Sequence, residues 1–247
     1  MAEGKQGVSL YFSIKEQLLE EILSGSLKVG DQLPTENELM NRFDVSRTTI
    51  RLAVQQLELD GYVQKVQGKG TFVTKPKIAE TITPHIRTFV EQMNDLGLKS
   101  RSKILEQVVV AADLSLAEKL GIGLKDPVVK LSRLRFAESD PIQHSISYIP
   151  WKIAPGLIED DCTNSLFELL HGKYGINLHR SVESIEPVMS DKNVSKLLEI
   201  KPNSPAFLLE SITYTDQNEP VEYSSSIIRG DRSKFTLERF FNKPQTE

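Results

Sequence analysis

Ile14, Leu18 and Ile22 stand four residues apart, while Lys15, Glu16, Glu20 and Glu21 fall between them. That spacing predicts a helix over Ser9 to Ser24 with one apolar stripe, and Gly25 is placed to end it. The next stretch, Leu27 to Leu33, contains the turn signal Val29-Gly30-Asp31. Thr35-Glu36-Asn37-Glu38 has the form of a capping box, so a second helix begins between Pro34 and Glu36 and buries Leu39 and Phe43. Asp44-Val45 makes a tight turn. Ser46 then caps a third helix whose Ile50, Ala53, Val54 and Leu57 face inward, and Gly61 closes it. Two short strands follow, Tyr62 to Val66 and Thr71 to Thr74, joined by Gln67-Gly68-Lys69-Gly70. Glycine tolerates positive φ there, so the loop turns tightly.

Lys75-Pro76-Lys77 leads into a linker, and from Pro84 the pattern changes. Ile86, Phe89, Val90, Met93 and Leu96 outline a helix ended by Gly97. Strand-like runs near 103–110, 127–136, 142–149, 178–188, 206–215 and 221–228 then alternate with helices at 114–120, 164–171 and 191–199, the last capped by Asp191. Asp140-Pro141-Ile142-Gln143-His144-Ser145 is echoed by Glu219-Pro220-Val221-Glu222-Tyr223-Ser224, each between two strand-like runs. Both read as hairpins of one antiparallel sheet, giving an α+β second domain.

Composition adds bounds. The 247 residues suit two domains, and 39% hydrophobic with 26% charged residues is ordinary globular usage. No apolar run reaches the ~18 residues of a membrane span, and Met1 to Gly7 has no apolar core of a secretory signal. The cytoplasm is the expected compartment. A single cysteine, Cys162, excludes an internal disulfide and a cysteine-cluster metal site, and reads as an inert thiol. The net charge of −4 hides a polarity: residues 1–41 sum to −4, residues 42–77 to +4, and the rest to −4. Phosphate binding needs a local basic surface, not a basic chain.

That basic segment contains the candidate DNA reader. Two helices joined by a short turn, the second presenting basic and small polar residues, suit a major groove. On the third helix Arg47 and Arg51 share a face with Thr48 and Gln55. Arginine grips guanine O6 and N7 through two hydrogen bonds, and threonine hydroxyls or helix N-terminal amides suit phosphate. Gly68-Lys69-Gly70 puts a lysine on a narrow tip able to reach an adjacent minor groove or phosphate. It joins strand to strand and lacks nucleotide-loop spacing.

Leu33-Pro34-Thr35-Glu36-Asn37-Glu38-Leu39, Val45-Ser46-Arg47-Thr48-Thr49-Ile50-Arg51 and Gly68-Lys69-Gly70-Thr71-Phe72-Val73 closely resemble the GntR superfamily of regulators. Arg133-Leu134-Arg135, Ser165-Leu166-Phe167-Glu168 and Arg229-Gly230-Asp231-Arg232-Ser233-Lys234-Phe235 resemble the HutC-type effector domain called UTRA, which looks like chorismate lyase. The resemblance implies a winged helix-turn-helix over residues 1–76, a linker over 77–84 and an effector-binding and dimerisation domain over 85–247. It implies DNA contact by the positions matching Arg47, Arg51, Gly68, Lys69 and Gly70, and a homodimer on a palindromic operator; Thr48 and Thr49 on the same helix are further candidate contacts. Many members carry arginine where this chain has Asn37, so one contact is absent or altered.

In the second domain the four histidines, His85, His144, His171 and His179, lack metal-ligand spacing, and no nucleophile elbow surrounds Ser224-Ser225-Ser226. A sensor is therefore expected, not an enzyme, with no cofactor or metal. The alternatives are a chorismate-lyase-type enzyme with an appended DNA module and an effector-independent DNA-binding protein. Arg133 and Arg135 lie two apart on one strand, so both point to one face about 7 Å apart. They repel unless neutralised by a bound phosphate or carboxylate, or by an acidic neighbour such as Glu222 or Glu210. The resemblance implies that positions matching Arg133, Arg135 and Ser165 hold phosphate in members that sense sugar phosphates. It matches Glu222 to a sugar-hydroxyl acceptor and places Thr88 and Phe89 at the pocket border. The sugar-sensing pattern has glutamate at Ser145, tyrosine at Phe167 and tyrosine at Ile228. The anion end is thus kept while the specificity end differs. The expectation is a regulator, most often a repressor in this family, released by a small anionic metabolite.

Overall fold

The computed structural model describes residues 9–83 and 85–239. The readings of Met1 to Gly7 and of Pro84 fall outside these described residues. The chain forms two compact units that meet between Ile78 and Ala79.

The first unit holds α1 (Leu10–Leu23), α2 (Glu36–Phe43), α3 (Arg47–Leu59), β1 (Val63–Val66) and β2 (Gly70–Val73). Each boundary has a local cause. Thr35 and Glu38 form the reciprocal capping box of α2. Asp44 takes the left-handed conformation, φ 50°, and turns the chain toward α3. Ser46 caps α3 by accepting a hydrogen bond from the Thr49 amide. Leu18, Leu39, Ile50, Ala53 and Leu57 are buried together with Val63 and Val73, while Phe43 and Val54 pack half-buried at the margin. The β1–β2 hairpin pairs Val66 with Gly70, with Gly68 at φ 73° in the turn. Gln32 bridges to Phe72, and the Leu33 amide donates to the Thr71 carbonyl, so a third short segment flanks the wing. Ser46→Ala removes the α3 cap and is expected to lower stability by about 1 kcal/mol. A denaturant midpoint that does not move would show that the cap contributes nothing.

The second unit runs through β3 (Ile78–Ile82), α4 (Phe89–Asp95), β4 (Ser100–Ala111), α5 (Leu114–Leu120), β5 (Pro127–Ala137), β6 (Asp140–Pro150), α6 (Leu166–Tyr174), β7 (Leu178–Met189), α7 (Lys192–Leu197), β8 (Pro205–Thr215), β9 (Pro220–Arg229) and β10 (Ser233–Leu237). Six strands form one antiparallel sheet in the order β4-β5-β6-β9-β8-β7. The halves β4-α5-β5-β6 and β7-α7-β8-β9 mirror one another about the central β6–β9 pair. The Asp140-Pro141 and Glu219-Pro220 echo lies where β6 and β9 begin, so the repeat marks two equivalent hairpins.

Three expectations change. Residues 77–84, read as a linker, contain β3, which pairs with β10; that pairing joins segments some 150 residues apart and leaves no local pattern. The helix read from Ile86 starts at Phe89, because Thr88 and Glu91 form a capping box there and Ile86 stays outside the helix. The helix read over 164–171 runs from Leu166 to Tyr174, capped by Ser165 and ended by Gly175 at φ 68°. The Arg229-to-Phe235 motif has a bracing role. Arg229 pairs with Asp231 and donates to the Pro141 and Leu198 carbonyls, and a Cβ on Gly230 would stand 2.7 Å from the Pro205 carbonyl oxygen.

Candidate functional site

The first candidate surface is the exposed face of α3. Arg47, Thr48, Arg51 and Gln55 are all exposed, while Ile50, Ala53 and Leu57 anchor the helix from below. Glu36 at the start of α2 reaches both arginines, at 3.9 Å from Arg47 Nε and 3.5 Å from Arg51 Nε. Arg47 Nη2 also donates to Asn37 Oδ1 at 2.8 Å. Asn37 is therefore not simply a missing contact: it anchors the Arg47 side chain to α2. Thr49 is half-buried, and its hydroxyl shares a 2.8 Å hydrogen bond with Ser46 Oγ, so its side chain serves the cap. Lys69 is exposed at the wing tip with Gly68 beside it, and its carbonyl accepts from Gln32 Nε2 at 3.1 Å. Gly70, at φ 119°, lies against that same Gln32 amide.

The second candidate is a cavity of about 730 Å³ in the C-terminal unit. Its floor follows from strand alternation. Arg133 and Arg135 on β5, Ser145 and Ser147 on β6, Glu222, Ser224 and Ser226 on β9, and Ser211 on β8 all face it, while Ser225 and Glu210 point away. Its rim comes from Glu80 on β3, from Thr88 and Phe89 at the start of α4, and from Ser165 and Phe167 at the start of α6. The structure thus brings together every residue expected at an effector site, although Thr88 and Ser165 also act as helix caps. Ile228 is instead buried between Gln143 and Phe207 and does not reach the wall.

The arginines lie deep. Arg133 is 2% exposed, and its Nη1 donates to the carbonyls of Cys162 and Asn164 at 3.1 and 3.2 Å. Its Nε, the Nε of Arg135 and the Ser145 hydroxyl are buried and find no hydrogen-bond partner among the described residues. Burial and the charge of Arg133 push Arg135 down to about 9, against the pull of Glu222 and Glu80. The Arg135 guanidinium lies 5.3 Å from the Phe89 ring centre. Of the acidic neighbours considered from sequence, Glu210 is engaged on the other face by Lys119 at 3.1 Å and by the Tyr223 hydroxyl. Glu222 is buried in the cavity wall and accepts from Thr213 Oγ1 at 3.4 Å. Unpaired buried donors cost free energy unless something accepts from them.

Sequence reasoning missed Glu80, which burial raises to about 7 despite Arg135. It sat in the supposed linker, and only the β3–β10 pairing turns it inward. The sequence did carry a signal for the serine floor: Ser145 and Ser147, then Ser224 and Ser226, alternate along strands that also carry apolar residues on the other face. His85 and His179, far apart in sequence, line the same cavity. His144 points elsewhere, 2.9 Å from Ser132 Oγ. Cys162 is buried, and burial raises its thiol to about 11, as suits an inert role. Among the described residues no group of three His, Cys, Asp or Glu is placed to hold a metal, and no helix is long and apolar enough to cross a membrane.

Residues 10–73 match the model of the bacterial regulatory proteins of the gntR family, and residues 95–234 match the UTRA domain. The chain is 29% identical over 228 residues to the HTH-type transcriptional repressor NagR of Bacillus subtilis, covering 92% of this chain and 93% of that one. It is 31% identical over 228 residues to the mannosyl-D-glycerate transport/metabolism system repressor MngR of Escherichia coli, covering 92% and 95%. The crystal structure of PhnF from Mycobacterium smegmatis superposes with a TM-score of 0.74 at 26% identity, over 95% of this chain and all of that one. These relatives are transcriptional regulators, which sets aside the enzyme alternative. The chain belongs to the GntR family of bacterial regulatory proteins, in the group whose winged helix-turn-helix is joined to a UTRA domain, and it is a DNA-binding transcription regulator.

Proposed function

We propose that this regulator is a repressor that binds a palindromic operator as a homodimer and is released by a small anionic metabolite, a sugar phosphate in the first instance. The observation that carries the effector reading is the pair of guanidinium side chains, Arg133 buried and Arg135 half-buried, that line one cavity and whose Nε groups find no hydrogen-bond partner among the described residues. A phosphate or carboxylate would accept from both, with Ser145 and the N-terminal end of α6 alongside. The serine floor suits a hydroxyl-rich body, and a relative such as MngR is named for a sugar-acid system. The repressor sense rests on the names of the relatives.

On the DNA side, Arg47, Thr48 and Arg51 would enter the major groove and Gly68-Lys69-Gly70 would follow the adjacent backbone, while Thr49, whose amide and hydroxyl both engage Ser46 Oγ, would hold the start of α3 against the DNA. Support for a dimer through the second domain comes from β7. It is a twelve-residue edge strand with residues exposed on both faces, Val182 and Met189 among them. An edge of that length offers unpaired backbone groups to a second copy. Release would follow if the effector bound more tightly to a dimer geometry that mismatches the half-site spacing, with a coupling of about 1 to 3 kcal/mol.

A thermal-shift screen of sugar phosphates, organic acids and amino acids tests the reading. Stabilisation by phosphorylated sugars is the expected result. Stabilisation only by ligands without an anionic group would overturn the anion site, and an operator affinity unmoved by every stabilising ligand would make the protein effector-independent.

A further inference from the structure

The cavity carries both signs of charge. Strand registers place Leu131, Ser147, Ser224, Ser211 and Glu183 in one row across β5, β6, β9, β8 and β7. Beside it Glu222 stands opposite Thr213, and Thr213 opposite Ser181. Glu222 and Glu183 therefore flank β8 from either side, with the hydroxyls of Ser211 and Thr213 between them. With strands about 4.8 Å apart and the two rows about 7 Å apart along the strands, their backbones are roughly 12 Å apart, a gap that two carboxylates leaning toward one another close around one small cation.

Glu222 is 3% exposed. A carboxylate so placed needs a counter-charge, and Arg133 and Arg135, which line the same cavity, supply it: Glu222 favours the charged form of each. An anion bound on the two arginines takes that counter-charge away. It leaves Glu222, Glu183 and Glu80 together with an added negative group in one wall. Hydroxyls donate hydrogen bonds to carboxylates but do not neutralise them. A cation does both. That something binds in this cavity is argued independently by Arg133 Nε and Ser145 Oγ, each on a residue 2% exposed and each without a partner among the described residues.

We infer that the effector is zwitterionic, with its anionic group on Arg133 and Arg135 and an ammonium or guanidinium group over β8 between Glu222 and Glu183. Its middle lies over the serine row. β5 and β8 are three strand spacings apart, about 14 Å before the reach of the side chains is subtracted. The effector is thus an extended molecule whose charged ends are well separated. This inference rests on the anion site proposed above.

Two probes that differ only in the cation test it: the 6-phosphates of 3-aminopropyl glucoside and of propyl glucoside, titrated calorimetrically into the full chain. The amine is expected to bind at least about tenfold more tightly, the scale of one partly desolvated charge pair. Glu183→Gln, at the more exposed carboxylate, is expected to shrink that ratio to about threefold or less. Equal affinities for the two probes overturn the zwitterion, and an amine preference that survives both Glu183→Gln and Glu222→Gln overturns the seat between those carboxylates; either outcome leaves the anion site standing. If neither phosphate binds, the anion site itself falls and the inference with it.

Discussion

Arg133→Ala combined with Arg135→Ala is expected to abolish the effector response while leaving operator binding intact. Each guanidinium offers charge-assisted hydrogen bonds to the anion, and such bonds contribute about 1.5 to 3 kcal/mol apiece. Losing both would weaken effector binding by roughly 3 to 6 kcal/mol, about two to four orders of magnitude. The two positions differ in the ligand-free protein. Arg133 satisfies the carbonyls of Cys162 and Asn164, so its removal strands two acceptors and lowers stability. Arg135 is held in its cationic form against burial and against the charge of Arg133. Arg135→Gln alone should therefore raise the ligand-free melting temperature while erasing the shift caused by effector. A double variant that still releases operator at the wild-type effector concentration would place the anion site elsewhere.

Arg51→Ala is expected to weaken operator binding by about 1 to 3 kcal/mol and to relax preference at one base pair of each half-site. The structure adds a partner to this prediction. Glu36 lies within ion-pair distance of both Arg47 and Arg51, and a carboxylate there opposes the approach of phosphate. On the proposed reading both arginines would exchange Glu36 for DNA, and an exposed pair of this kind holds them only weakly. Glu36→Gln should thus raise non-specific DNA affinity and steepen its salt dependence, in the opposite direction to Arg51→Ala. Footprinting and fluorescence anisotropy over a salt series measure both. An Arg51→Ala protein with unchanged affinity and footprint would remove that residue from the reading face.

The lesson of Asn37 runs the same way. Read against the family pattern it is a lost arginine. In the structure it accepts a hydrogen bond from Arg47 and so orients the arginine that remains. Position and neighbour, not residue type alone, decide what the substitution does.

Features closed within a few residues were determined by the sequence alone. The capping box of α2, the tight turn at Asp44, the wing hairpin and the two hairpins of the sheet all rest on neighbours less than about a turn or a loop away. Their energetics are therefore written locally. So is the shared face of Arg133 and Arg135, which follows from the two-residue period of any strand. Tertiary structure alone decided which far-separated groups meet. Pairing of β3 with β10 turned a presumed linker into the wall that carries Glu80. One step of alternation sent Glu210 to Lys119 and left Ser211 in the cavity, and the strand order set Glu222 and Glu183 on either side of β8. Such choices depend on burial summed over the whole sheet. A change of one residue in register exchanges its two faces, and no short stretch of chain contains that information.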